Sequence, residues 1–132
     1  MQVADQIDAH ADRVLGTHVR VPRTERMSVK AELRATVSDM QLMSLMGKYY
    51  AAKIRGATEL AMFRETRDPA HQKRAVEQLA LARQHWSQYT ERASAQYRNP
   101  LWTNRVGFVD WQELSGEVAN DVALAAAPLT AR

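Results

Sequence analysis

From Ser28 to Thr66 the chain runs without a proline, and its apolar residues recur with the 3.6-residue period of an α-helix. At ~1.5 Å per residue such a segment is a rod of roughly 58 Å, long for a chain of 132 residues. On a helical wheel, Leu42, Met43, Leu45, Met46, Tyr49, Tyr50, Ile54, Ala57, Leu60 and Phe63 cover more than half the circumference. Gln41, Lys48, Arg55 and Glu59 share what is left. An ordinary surface helix has a narrower apolar stripe. The segment is therefore predicted to be a central helix with neighbours on two sides.

The remaining periodic segments supply those neighbours. Residues 2–18 read as a first helix with Val3, Ile7, His10 and Val14 on one stripe, closed by Gly16 and by the break at Val21-Pro22. After the long helix, Asp68 stands as an N-cap and Pro69 as the first residue of a helix running to about residue 98. Its stripe is Leu79, Ala82, Trp86, Tyr89, Ala93 and Tyr97. The connection before it is so short that the two long helices are predicted to form an antiparallel hairpin. Asp110 followed by Glu113 is a capping-box spacing that opens a fourth helix over 111–127, with Leu114, Val118, Val122 and Ala125 as its stripe and Pro128 as its stop. No strand pattern is read anywhere. The expected fold is all-α: one domain over residues 1–132, a bundle of about four helices built on the long hairpin.

Residues 98–110 do not fit a helix, since Asn99-Pro100 and Gly107 interrupt the period. The segment is still rich in large apolar groups. It is expected to be an ordered connection packed on the bundle, with Leu101, Val106 and Phe108 turned inward because side chains must hold a backbone that cannot satisfy itself as a helix.

Composition narrows the chemistry. There is no Cys, which removes disulfides, thiol nucleophiles and cysteine zinc sites together. The net charge of +3 is too slight to imply a polyanionic partner, although the segment from Arg20 to Arg26 gathers three arginines that could touch phosphates. Acidic residues are spread through all four helices and leave no basic face, so nucleic acid is not expected as a partner, and no apolar run is long enough for a bilayer, so neither is a membrane. The first residues lack the basic and apolar regions of a secretion signal, which fits a cytoplasmic protein or a domain of a larger exported chain, and leaves localisation open.

Candidate chemistry is sparse. The histidines at 10, 18, 71 and 85 include no pair at i, i+3 or i+4, so no metal and no cofactor is expected. His10, on the apolar stripe, reads as a partly buried core histidine. No nucleophile motif or phosphate loop is present. The pairs Asp5 and Asp8, and Glu113 and Glu117, read as solubilising surface charges rather than catalytic carboxylates. Gly47 and Gly56, inside the long helix, point to close helix packing. Lys53 falls inside the apolar arc. Its stem packs while the ammonium reaches a carboxylate or water, or it makes an ion pair across the bundle that fixes helix register. Trp86, Tyr89 and Tyr97 read as core. Trp102 and Trp111 flank the irregular connection together with Asn104 and Arg105. Indoles beside Asn and Arg can hold a sugar ring, or can simply anchor a loop. The expectation is that both indoles turn inward, and that an exposed one beside Asn104 or Arg105 would signal a saccharide or a protein partner.

The run Gly47-Lys48-Tyr49-Tyr50-Ala51-Ala52-Lys53-Ile54-Arg55-Gly56-Ala57, followed by Trp86-Ser87-Gln88-Tyr89 and Tyr97, resembles a helical domain near the C-terminal end of large bacterial proteins related to glycoside hydrolases and other carbohydrate-active enzymes. The likeness extends over about residues 35–125 and consists of packing residues. In such proteins the catalytic residues lie in a separate barrel domain, so none is carried onto this chain. The resemblance implies a non-catalytic accessory domain of an exported, saccharide-processing parent, with other domains of that parent as partners. The alternative is a free-standing cytoplasmic helical protein that acts through self-association, as a homo-oligomer, or through a protein partner.

Overall fold

A computed structural model describes residues 1–16, 27–104 and 107–129. Four helices dominate it: α1 (Gln2–Leu15), α2 (Met27–Thr66), α3 (Pro69–Gln96) and α4 (Trp111–Ala126). All-α is the correct class, and each expected helix is present within two or three residues of its expected ends. The arginine cluster between Arg20 and Arg26 lies outside the described residues, as does His18. Helix α2 is the spine. Helix α1 packs on one side of it and α3 on another, while α4 lies against α3.

Local chemistry sets the joints. Helix α2 ends where Arg67 takes a left-handed φ of 62°, its N–H bonding to the Phe63 carbonyl at 2.9 Å. That is the single-bond form of a left-handed helix stop. Asp68 then caps α3 by accepting from the Ala70 N–H at 2.9 Å, with Pro69 at the first helical position. Asp110 caps α4, its carboxylate accepting from the N–H groups of Gln112 and Glu113. At the other end of α4, the Gln72 amide donates to the carbonyls of Ala125 and Ala127, both at 3.0 Å. A side chain of α3 thereby satisfies helix-end carbonyls that have no partner within α4.

The core joins α2, α3 and α4. Leu42, Tyr49, Ala52, Ala82, Trp86, Ala93, Trp111 and Val118 form its buried centre. Rings of Tyr49 and Trp86 meet at 5.2 Å, Trp86 and Tyr89 at 5.4 Å, and Tyr89 meets Trp111 edge-on at 6.0 Å. The buried Trp86 indole donates to the Ser115 hydroxyl on α4 at 2.8 Å, so its polar N–H is not stranded. Near the hairpin turn, Gly56 lets α3 come close. A Cβ built there would lie 2.6 Å from Leu79 Cγ.

Three expectations need correction here. A strand pair does exist: β1 (Leu101–Thr103) and β2 (Gly107–Val109) form an antiparallel hairpin. Three residues a strand are too few for alternation to register in sequence. His10 is exposed, because α1 turns Ala4 and Ala11 to α2 with Ile7 beside them, which leaves Val3 and His10 on the outer side. Tyr97 is the C-cap of α3 and is partly exposed, its hydroxyl reaching Asp39 instead of the core.

Candidate functional site

The β-hairpin carries the residues singled out for binding, and strand parity decides where they face. Leu101 pairs with Val109, Trp102 with Phe108, and Thr103 with Gly107. Successive side chains of a strand alternate between faces, so Trp102 and Phe108 share one face, and Leu101, Thr103 and Val109 share the other. Val109 packs against the core. Trp102 and Phe108 therefore stand outward, 62% and 75% exposed. The expected inward turn of Trp102 and of Phe108 is wrong for this reason, and Leu101 too is more than one-third exposed. Val106 lies outside the described residues.

The four candidate binding residues do not form one cluster. Trp102 is at the surface, and Asn104 is exposed in the turn that follows β1. Arg105 lies outside the described residues. Trp111 is only 4% exposed and belongs to the core. It anchors the start of α4: its N–H donates to the Asn99 side-chain oxygen at 3.0 Å, while the Asn99 amide donates to Asp110 at 2.8 Å. The Asn99 bond, followed by the N–H groups of Gln112 and Glu113, holds the Asp110 carboxyl below its usual range. One indole is thus a structural anchor and the other a free surface group on a fixed base.

Lys53 makes the cross-bundle contact that its position suggested. Its ammonium lies 2.8 Å from the Asp121 carboxylate on α4 and donates to the Tyr49 hydroxyl at 3.0 Å. Partial burial opposes the charge, but the bonds from Asp121 and Tyr49 outweigh it and push the lysine up to about 12. This pair ties α2 to α4.

Two charge clusters were not read from the sequence. Asp5 and Asp8 do not merely solubilise α1; with Asp12 they dock it. Arg55 reaches Asp5 at 2.7 Å and Asp8 at 2.8 Å, and Lys48 reaches Asp8 at 3.1 Å and Asp12 at 2.6 Å. Burial alone would raise the Asp8 carboxyl, yet hydrogen bonds from Arg55 and Lys48, with their charges, hold it below its ordinary value. The matching seven-residue spacing of Lys48 and Arg55 against Asp5 and Asp12 is the signal that could have revealed the ladder. The second cluster joins the α2–α3 turn: Glu59 lies 2.6 Å from the His71 ring and 2.9 Å from the Arg74 guanidinium. The bond to His71, ahead of that to Arg74, lowers the Glu59 carboxyl.

Two apolar grooves flank the N-terminal half of α2. One, of about 560 Å³, runs between α1 and α2 and is lined by Val3, Ile7, His10, Val14, Met40 and Met43. The other, of about 400 Å³, lies between α2 and α3. Met43, 74% exposed, forms the ridge between them.

Among the described residues no three His, Asp or Glu side chains gather as a metal site, and no helix there is long and apolar enough to cross a membrane. No protein-family model matches the chain, and no curated protein or solved structure matches it either.

Proposed function

We propose that this chain is a non-catalytic helical accessory domain of a carbohydrate-active protein, and that it contacts saccharide through the hairpin. The observation that carries this reading is the cross-strand pair Trp102 and Phe108, both exposed on one face of the hairpin, with exposed Asn104 following in the turn. Two exposed aromatic side chains on one face of a hairpin whose base is fixed by Asn99 and Asp110 offer apolar surface to a pyranose, and an amide in the same turn supplies donors and an acceptor. The clustered carboxylates support a binding role over a hydrolytic one, since Asp5, Asp8 and Glu59 are engaged by cations in helix joints. Glycoside hydrolysis needs two carboxylates that flank the sugar in a cleft.

Intrinsic fluorescence tests the proposal. Trp86 and Trp111 are buried, so Trp102 is the indole that ligand and quencher reach. Titration with a panel of plant and bacterial oligosaccharides is expected to shift its emission and protect it from acrylamide, and Trp102→Phe is expected to abolish both effects. Emission indifferent to every sugar at millimolar concentration defeats the saccharide contact.

A second reading is favoured by the α1–α2 groove, whose exposed Val3, Met40 and Met43 make an apolar surface of the kind that meets a protein. On that reading the chain works through a partner protein or through self-association. A solution mass above that of one chain, lowered by Met43→Glu, would favour it.

A further inference from the structure

We propose that the groove between α2 and α3 is a binding site for a small alkylammonium compound, with the Asp39 carboxylate and the Tyr89 and Tyr97 rings as its cation-recognising end. The groove is lined by Asp39, Leu42, Met43, Met46, Tyr89 and Tyr97. Its chemistry is divided. Leucine and two flexible thioethers make an apolar wall that suits an alkyl stem. One carboxylate and two phenol rings supply what a positive head group seeks: a full negative charge and the negative faces of aromatic rings.

Asp39 is held in place by neutral donors. Gln96 gives it a hydrogen bond of 2.6 Å, and the Tyr97 hydroxyl bonds to the same carboxylate oxygen. Both bonds fix the carboxylate without cancelling its charge. Tyr97 is correspondingly held as a phenol, first by its bond to Asp39. Burial, then the nearby Tyr50, does the same for Tyr89, so both rings stay neutral and electron-rich. Among the described residues no arginine or lysine lines this groove; Arg34 and Arg92 line a neighbouring one, where Arg92 reaches Gln41 at 3.4 Å.

The volume of about 400 Å³ is large enough to take a small alkylammonium compound. A quaternary ammonium is the head group best matched to aromatic faces, because its charge is spread over methyl groups and is weakly hydrated. This site shares no residue with the hairpin platform, so it stands or falls independently of the saccharide reading.

Choline and its uncharged isostere 3,3-dimethylbutan-1-ol separate charge recognition from simple filling of an apolar groove. Both are titrated into the intact chain at constant ionic strength, and amide and methionine-methyl NMR shifts are followed. Choline is expected to bind about tenfold more tightly than the alcohol, with the largest shifts at Met43, Met46 and Tyr97. Asp39→Asn, checked for native helicity, is expected to bring choline down to the level of the alcohol. A lysine-containing peptide is expected to bind more weakly than free choline. Equal binding of choline and alcohol to the native protein overturns the proposal without any variant. Tight choline binding that survives Asp39→Asn overturns it as well, as does shift confined to residues outside the groove.

Discussion

Helix α2 meets α3 and α1 along two seams built from opposite materials. Towards α3 and α4 it offers Leu42, Tyr49 and Ala52 to a stack of rings around Trp86. Towards α1 it offers Ser44 and Gly47 to Ile7 and Ala11, flanked by the ladder of Lys48 and Arg55 with three aspartates. The first seam removes large apolar areas from water, at about 25 cal/mol per Å², and depends little on salt or pH. The second fully buries only Ala4 and Ala11 of α1, and its ion pairs lie partly in solvent, where each contributes about 0–1 kcal/mol. The same helix is thus the centre of a durable three-helix body and the dock for a weakly held fourth helix. Helix α1 should be the first element to open.

The largest effect should come from the ring stack. Trp86→Ala removes the indole shared by Tyr49 and Tyr89 together with its hydrogen bond to Ser115, and we expect a loss of about 3–5 kcal/mol in a denaturant melt. A loss below about 1 kcal/mol would place the centre of stability elsewhere and erase the contrast between the seams. Gly56→Ala should follow. Its Cβ would press on Leu79 Cγ at 2.6 Å and sit 3.3 Å from the Leu79 backbone nitrogen, which a side-chain rotation cannot relieve. We expect a net loss of about 1–2 kcal/mol, the overpacking cost exceeding the better helix propensity of alanine. An unchanged melt would mean that the two long helices can slide apart freely.

The α1 seam should respond to solution conditions. The Asp8 carboxyl is lowered in the folded state, so its contribution is present above the ordinary carboxylate pKa and is lost as pH falls through the depressed folded value. Amide exchange in α1 should therefore speed up in acid and in high salt, while exchange around Trp86 stays slow. Asp8→Asn should mimic the acid state with a loss of about 1 kcal/mol confined to α1. Equal responses of the two seams to salt would show that the ladder is ornamental.

How much of this was legible follows from how many residues each feature needs. Helix α2 announces itself over ten turns, and Asp68-Pro69 and Asp110 name their caps without ambiguity, because caps are local chemistry. The cross-bundle role of Lys53 was open to reading because a charge inside an apolar arc demands a partner. The face of α1 was misread: large apolar residues drew the stripe through His10, whereas the residues that α1 buries are Ala4 and Ala11. A small residue that permits close approach carries less hydrophobic signal than a valine left in water. The outward Trp102 and Phe108 were missed for a different reason. Their direction follows from pairing register, which a helical reading of the connection does not contain.

The smallest effect tests whether the α1 seam has room to improve. Gly47 faces α1, and a Cβ there would lie 3.5 Å from Ile7 Cγ2 and 3.6 Å from Ala11 Cβ, ordinary contact distances. Unlike Gly56, it does not need to be glycine for the helices to meet. Gly47→Ala should fill that space, remove the helix-interior cost of glycine, and stabilise the chain by about 0.5–1 kcal/mol. The gain should appear as slower amide exchange in α1 as well as in α2, because the new methyl touches both. A destabilising result would mean that α1 lies closer to α2 in solution than these distances allow, with Gly47 as necessary to the docking of α1 as Gly56 is to that of α3.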